Sequence, residues 1–198
     1  VDPCSHESPG MIRVLSEEII DATHWIYKRV VYEIGINGER RRLSREILDR
    51  GNAIAILPYD ATRGTVILTR QFRLPAFLNG GEDALLEACA GGIEDGDAEA
   101  AARRETLEET GFVLREVRRV FEAYMSPGSV TEKIVFFVAP YELAYRQDAG
   151  GGLAHEGEAI EVVETSFADA LAKMAAGEIR DAKTIMLLQY VQIHGLLA

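Results

Sequence analysis

The stretch GGIEDGDAEAAARRETLEETGF, residues 91–112, combines a glycine pair, an alanine-rich segment and an acidic end. Asp97 is a favourable N-cap residue, the alanines after it favour helix, and Gly111 can adopt the left-handed conformation in which helices commonly end. The stretch therefore predicts a helix between Asp97 and Gly111. The glycines that precede it lack side chains, so their backbone can approach other groups closely.

Three carboxylates gather at the end of this helix. Because helix positions three and four apart share a face, Glu105 should meet both Glu108 and Glu109, and like charges there repel. The helix dipole also disfavours anions in the last turn. A divalent cation would reverse this unfavourable energy, and Mg²⁺ binds a few carboxylates while keeping positions for water and phosphate. Arg104 could orient one of the carboxylates. A solvated acidic face is the alternative interpretation.

The flanking segments predict a mixed-sheet α/β domain with a small N-terminal β extension. Asn37 and Gly38 suit a tight hairpin turn between two strands, and β-branched runs follow between 52 and 73. Two further helices are predicted after the candidate caps Ser166 and Asp181. This order of elements is typical of an α/β fold.

The chain divides into three regions by its patterns. Residues 1–10 read as a tail or an expression remnant, 11–50 as an N-terminal β region, and 51–198 as the main domain. Within the main domain, the run ALLEACAGG, residues 84–92, predicts a single strand that ends at a glycine pair.

The composition limits the functions open to the protein. The 198-residue chain has 21 Lys and Arg against 32 Asp and Glu, a formal charge of −11, which argues against a broad nucleic-acid interface. No apolar run approaches the roughly 18 residues of a membrane helix, and no leader pattern opens the sequence, so we expect a cytoplasmic protein without a membrane partner. Cys4 and Cys89 are far apart, which predicts neither a disulfide framework nor a thiolate metal site.

The 91–112 stretch resembles the Nudix box of diphosphate hydrolases, G-x5-E-x7-R-E-U-x-E-E-x-G-U, where U is a bulky aliphatic residue. The matching positions are Gly91, Arg104, Glu105, Glu108, Glu109, Gly111 and Phe112. The sequence departs from the box in three ways. Asp97 replaces a Glu, six residues rather than seven separate it from Arg104, and Thr106 replaces the aliphatic residue.

The likeness covers most of residues 24–194 and is closest to the bacterial GDP-mannose hydrolases, followed by ADP-ribose hydrolases. The stretches that carry it are LDRGNAIAIL, RQFR, EACAGG, YMSPGSVTE, DAGGG and GEIRDAKT. The resemblance implies a Nudix α/β/α sandwich over 51–198 and a homodimer with contacts through 11–50. It also implies Mg²⁺-dependent hydrolysis of GDP-mannose to GMP and mannose 1-phosphate, with Mn²⁺ as a substitute metal. The alternatives are an ADP-ribose (ADP-sugar) pyrophosphatase and a Nudix module that senses nucleotides without cleaving them.

The resemblance assigns roles to the acids of the helix and of the glycine-rich loop DAGGGLAHEGE. The implied metal ligands are Glu105, Glu109, Glu158 and the backbone carbonyl of Ala90, with Glu108 nearby. Either Glu158 or Glu156 would orient or deprotonate the attacking water, and the choice between them stays open. A solvated loop is the alternative interpretation.

Other residues match positions that contact substrate in the family. The implied contacts are Arg73, Ala90, Gly91, Gly92, Glu109, Glu132 and Lys183, together with Trp25, Ser44, Arg45 and Glu46 from the other subunit. Cationic side chains would grip the diphosphate. Trp25 could stack on a purine or pack within a strand, and Glu132 could be merely solvated, so both interpretations stay open for each.

Overall fold

The computed structural model describes residues 12–81, 83–94, 96–153 and 159–197. These residues form two compact units. One contains 12–51 and Tyr124–Lys133, and the other contains Asn52–Ala123 and the chain from Ile134 onwards. The first unit is built on a three-stranded sheet, and the second on a seven-stranded sheet with helices.

The first unit is an antiparallel sheet in the order β1-β2-β3. The strands are β1 (Ile12–Asp21), β2 (Ile26–Ile36) and β3 (Glu39–Asp49). The predicted turn between β2 and β3 is confirmed, because Asn37 and Gly38 have φ values of 53° and 84°. The sequence did not single out β1, whose side chains are almost all exposed and carry little hydrophobic alternation.

The segment Tyr124–Lys133 joins this unit through the end of β3. Leu48 N donates to Ser129 O at 2.9 Å, and Thr131 N donates to Leu48 O at 3.1 Å. The Thr131 hydroxyl also donates to Asp49 Oδ1 at 2.8 Å, and this hydrogen bond is the main cause of the lowered pKa of Asp49. Hydrogen bonds between residues far apart in the sequence therefore join the end of β3 and the segment Tyr124–Lys133 into one unit.

The second unit holds a mixed sheet in the order β10-β5-β4-β9-β8, with β6 beside β5 and β7 beside β4. Its strands are β4 (Ala53–Asp60), β5 (Thr65–Gln71), β6 (Leu85–Glu87), β7 (Cys89–Gly92), β8 (Arg118–Tyr124), β9 (Lys133–Pro140) and β10 (Glu161–Ser166). The β4–β9 pairing is parallel, whereas β4 pairs antiparallel with β5 and β7. The expected mixed-sheet α/β class is confirmed.

The prediction of one strand over 84–92 was wrong, because the run is divided at Ala88. Its first part pairs with β5 and its second part pairs with β4. The Ala88 amide donates to the hydroxyl of Thr184 at 2.6 Å, so the backbone group at the break is satisfied by a side chain.

The helices are α1 (Leu74–Gly80), α2 (Ala98–Thr110), α3 (Phe167–Ala175) and α4 (Ala182–Ile193). The predicted caps are confirmed: Asp97, Ser166 and Asp181 each accept a hydrogen bond from an amide in the first turn of the helix that follows. The sequence missed α1, which has seven residues and no side-chain N-cap hydrogen bond. None of the described helices is both long and apolar enough to cross a membrane.

Helices cover both faces of the large sheet, as an α/β/α sandwich requires. On one face, Ala101 and Ala102 of α2 belong to a buried cluster with Ile54, Ile56, Ile67, Phe112 and Phe137. On the other face, Phe121 bridges Phe136 of β9 and Tyr190 of α4, with ring centroids 4.6 and 6.0 Å away. Phe136 and Phe137 are consecutive strand residues, so they point to opposite faces.

Replacing the cap of α2 tests its contribution to stability. Asp97 Oδ1 accepts from Glu99 N at 3.0 Å and from Ala100 N at 3.1 Å. We expect Asp97→Ala to lower the free energy of unfolding by about 1 kcal/mol, because both amides lose their acceptor. Asp97→Asn keeps an acceptor and should cost less than about 0.5 kcal/mol. Urea unfolding followed by circular dichroism measures both. Equal losses would mean that Asp97 acts through its charge on the helix dipole rather than as a cap.

Candidate active site

The carboxylate of Glu105 on α2 lies directly against the backbone of β7 at Gly91. A Cβ atom built on Gly91 would overlap Cδ, Oε1 and Oε2 of Glu105. The side chain of Glu105 is only 14% exposed. Glycine is required here because any side chain would occupy the space of the carboxylate. The close approach at Gly91 also brings Ala90 and Gly92 of the same strand beside the acidic helix.

Arg104 holds two of the three predicted acids. Its Nη2 lies 2.9 Å from Glu105 Oε1, and its Nη1 lies 3.1 Å from Glu108 Oε2. Nη2 also donates to the carbonyl of Gly92 at 3.2 Å. Partial burial disfavours the charged guanidinium, but the two carboxylates outweigh it and raise the pKa of Arg104. The predicted orienting role of Arg104 agrees with this geometry, and the arginine offsets part of the repulsion between the acids.

Glu109 lies deeper, on the buried face of α2. It is 3% exposed and belongs to a face that also includes Thr106 and Thr110, both fully buried. Cys89 of β7 is its neighbour: burial, reinforced by the Glu109 carboxylate, raises the pKa of the Cys89 thiol well above its usual range. The thiol therefore stays neutral beside this acid. Cys89 is a buried free cysteine.

The two predicted phosphate-binding cations are each held by a carboxylate. Arg73 donates from Nε to Glu87 Oε2 at 2.9 Å, and Glu87 is only 4% exposed. Lys183 Nζ lies 2.5 Å from Asp181 Oδ1, while Asp181 Oδ2 accepts from the amide of Thr184 at 2.9 Å. These carboxylates orient the cations. Sequence reasoning missed Glu87, whose signal was a single acid inside an apolar run.

The residues predicted to act from the other subunit lie in the first unit. Trp25 is 40% exposed, and the Arg50 guanidinium lies 5.1 Å from its ring centroid. Arg50 Nε also lies 3.2 Å from Glu132 Oε1, and Glu132 is 9% exposed. One arginine thus contacts both Trp25 and Glu132, two of the predicted substrate-binding residues. Arg50 itself was missed, although it stands in the matching stretch LDRGNAIAIL.

Ser44, Arg45 and Glu46 are consecutive on β3, so their side chains alternate between its faces. Glu46 accepts from the Tyr27 hydroxyl at 2.5 Å and from Arg29 at 2.9 Å, and these two donors lower the pKa of Glu46. Arg45 instead lines an open, mainly apolar cavity of about 640 Å³ within the same unit. The three residues therefore do not present one continuous surface.

The donor set of the second unit fits a divalent cation. Mg²⁺ prefers hard oxygen ligands, and this unit offers carboxylate oxygens of Glu105 and Glu109 and the carbonyl oxygen of Ala90. The absence of a side chain at Gly91 leaves room for the Glu105 carboxylate. Among the described residues, no three His, Cys, Asp or Glu side chains form a ready metal cluster. A site here would therefore combine side chains with a backbone carbonyl and further ligands. Glu156 and Glu158 lie outside the described residues, so their roles stay predictions.

The NUDIX domain pattern matches residues 49–188. The chain belongs to the Nudix family. A GDP-mannose pyrophosphatase from Enterobacter sp. (strain 638) is 43% identical over 189 residues, which cover 94% of this chain and 98% of that protein. A GDP-mannose pyrophosphatase from Pectobacterium atrosepticum is 47% identical over 182 residues, which cover 90% and 93%.

The Nudix fold is also evident from a solved structure. The crystal structure of an ADP compounds hydrolase aligns with a TM-score of 0.72, covering 96% of this chain and all of that one. The sequences are 21% identical, so this likeness concerns the fold.

Two departures from the Nudix box have structural explanations. Asp97, in the position of a glutamate, is the N-cap of the Nudix helix α2. Thr106, in the position of an aliphatic residue, is fully buried, and its hydroxyl donates to the carbonyl of Ala102 at 2.7 Å. That hydrogen bond satisfies a polar atom that would otherwise be costly to bury.

A methyl group at Gly91 tests the approach of β7 to Glu105. We expect Gly91→Ala to lower the free energy of unfolding by about 1–3 kcal/mol, because the carboxylate or the strand must shift. Its uptake of Mg²⁺, measured by calorimetry, should weaken as well. Gly35→Ala is the matched control, since Gly35 is also in a strand and a Cβ there meets nothing within 4 Å. Equal behaviour of the two variants in urea unfolding and calorimetry would contradict the proposed close approach.

Proposed function

We propose that this Nudix protein is a Mg²⁺-dependent pyrophosphohydrolase of nucleoside-diphosphate sugars, with GDP-mannose as its substrate. The observation that carries the proposal is the preserved set of Arg104, Glu105, Glu108 and Glu109 on a helix packed against Gly91, in a chain 43–47% identical to GDP-mannose pyrophosphatases. Nudix hydrolases generally use divalent metal ions. Magnesium is our choice of metal, with Mn²⁺ as a substitute.

Glu105, Glu109, the Ala90 carbonyl and Glu158 would hold the cation. When bound, the metal ion neutralises charge on the diphosphate and makes water more acidic. Arg104 restrains Glu105 through an ion pair and Glu108 through a hydrogen-bonded ion pair, and so keeps these carboxylates aligned.

The remaining steps belong to side chains of the protein. Arg73 and Lys183 would bind the diphosphate oxygens, oriented by Glu87 and Asp181. A carboxylate oxygen of Glu158 or Glu156 would accept a proton from water as the water oxygen attacks phosphorus in line. The new P–O bond forms as the bridging P–O bond breaks, and the products from GDP-mannose are GMP and mannose 1-phosphate.

An ADP-ribose or ADP-sugar pyrophosphatase is the second candidate, favoured by the fold likeness to an ADP compounds hydrolase. Specificity constants for GDP-mannose and ADP-ribose discriminate the two. A non-catalytic nucleotide sensor is a third candidate, and it is disfavoured because such proteins usually lose an acid of the box. Tight nucleotide binding without turnover would support it.

Neutralising one acid of α2 tests the proposed activity. We expect Glu105→Gln to lower kcat for GDP-mannose by about 10²- to 10³-fold, because a charged oxygen that positions and stabilises the reacting groups is lost. Glu99→Gln is the matched control, since Glu99 lies on the same helix, is exposed and pairs with Arg103. It should retain activity. Release of GMP and mannose 1-phosphate, followed by chromatography, measures both variants. No mononucleotide release from any GDP-, ADP- or UDP-sugar by the unmodified protein would reject the proposal.

We also propose that the protein works as a homodimer in the cytoplasm, with contacts through the first unit. That unit exposes apolar side chains along β1 and β2, including Ile12, Val14, Ile19 and Ile26, and such surfaces mark interfaces. Trp25, Ser44, Arg45 and Glu46 would then serve the active site of the partner. The buried free thiol of Cys89 suits a reducing compartment.

Mixing two inactive variants tests the shared site. Glu105→Gln and Arg45→Ala should each be impaired alone. After subunit exchange at equal concentrations, half the dimers are mixed and one of their two sites is intact, so about a quarter of the activity should return. An activity no greater than that of the separate variants would show that each subunit is self-sufficient. Light scattering confirms that dimers were present.

A further inference from the structure

The chain that follows β9 returns to the end of α2 and runs beside it. Its backbone hydrogen bonds are Val113 N to Tyr145 O at 3.0 Å, Gln147 N to Gly111 O at 2.8 Å, Gly151 N to Glu109 O at 2.9 Å and Gly152 N to Glu108 O at 3.1 Å. We call residues 145–152 the brace. It contacts the very turn that carries the acids of the candidate site.

Side chains of the brace hold its own shape. Arg146 donates to the carbonyls of Asp148 and Ala149 at 3.0 and 2.9 Å, and its guanidinium lies 5.3 Å from the ring centroid of Phe112. Asp148 Oδ1 accepts from the amide of Gly150 at 2.8 Å. The brace is therefore a shaped segment with internal hydrogen bonds.

Glycines on both sides allow the brace and the helix end to touch. Gly150 has φ 68°, and a Cβ there would overlap Glu109 O and backbone atoms of Thr110. Gly111 has φ 75°, and a Cβ there would overlap the carbonyl of Asp148. The two backbones approach more closely than any side chain permits.

This contact acts on the electrostatics of the acidic turn. The last carbonyls of a helix form the negative end of its dipole, which disfavours nearby carboxylates. Amides of Gly111, Gly151 and Gly152 donate to the carbonyls of the last turn, so these carbonyls are satisfied beside the acids. The chain at Ile160 is also anchored to the brace, since Ile160 N donates to Gly151 O at 3.1 Å.

We propose that Gly150 and Asp148 are positioning residues for the metal site, a role that rests on the proposed function. Gly150 lets the brace reach Glu109, and Asp148 fixes Gly150 by accepting a hydrogen bond from its amide. Together they hold the last turn of α2, and with it the carboxylates of Glu108 and Glu109, in the arrangement that binds a divalent cation. Neither residue contacts the metal or the substrate in this role.

The test compares two glycines that share a conformation and differ in contact. Gly150→Ala adds a methyl group against Glu109 O, whereas Gly177, with φ 74°, has nothing within 4 Å of a built Cβ. Both alanine variants incur a similar positive-φ strain, so their difference isolates the contact. Mn²⁺ binding by electron paramagnetic resonance should weaken about tenfold or more in Gly150→Ala, as for other residues that orient ligands, and stay within about twofold of wild type in Gly177→Ala.

A second variant covers the case in which Gly150→Ala does not fold. Asp148→Ala removes the acceptor of the Gly150 amide without adding bulk, and it should weaken Mn²⁺ binding in the same direction by a smaller factor. The inference is overturned if folded Gly150→Ala and Asp148→Ala bind Mn²⁺ with the affinity of wild type. It is also overturned if the wild-type protein binds no Mn²⁺. If Gly150→Ala is insoluble, Asp148→Ala alone decides.

Hydrolysis of GDP-mannose by the same preparations separates the two proposals. If Gly150→Ala and Asp148→Ala bind Mn²⁺ more weakly but wild type does not hydrolyse GDP-mannose, the proposed function is rejected and the positioning role is supported. Normal turnover by wild type, with unchanged Mn²⁺ binding in the variants, would do the reverse.

Discussion

The packing of the Glu105 carboxylate against the backbone at Gly91 constrains much of the second unit. It requires β7 to lie beside α2, and β7 reaches that place by pairing with β4 in the middle of the sheet. The same helix packs its alanines against a buried cluster that includes Ile54 and Ile56. A shift of the helix would therefore disturb both the core and the candidate metal site, which links stability to function.

Negative charge at the C-terminal end of a helix is unfavourable, and neighbouring protein groups offset part of it in α2. Arg104 bridges Glu105 and Glu108, while amides of the brace satisfy the last carbonyls of the helix. The sequence alone predicts that a bound cation relieves this repulsion. The structure shows that protein groups already offset part of the repulsion, so a cation would bind to acids whose positions are held in advance.

The candidate site is predictable from spacing only for the acids of α2, which stand three and four residues apart on one helix. Arg73 and Lys183 follow instead from the resemblance to the Nudix family, and the structure shows the carboxylate that orients each of them. Two of the partners, Glu87 and Arg50, were not predicted. Glu87 is fourteen positions from Arg73, and Arg50 is far from Glu132, so only the path of the chain shows that these charges meet.

Local signals in the sequence were enough for the caps at Asp97, Ser166 and Asp181, for the turn at Asn37, and for the α/β class. Such signals work because a cap or a turn is formed by groups within about four residues of one another. The strand break at Ala88 and the meeting of Gly150 with Glu109 depended on the tertiary structure. Contacts of that kind join residues distant in the chain, and they follow from strand order and close backbone packing rather than from any local preference.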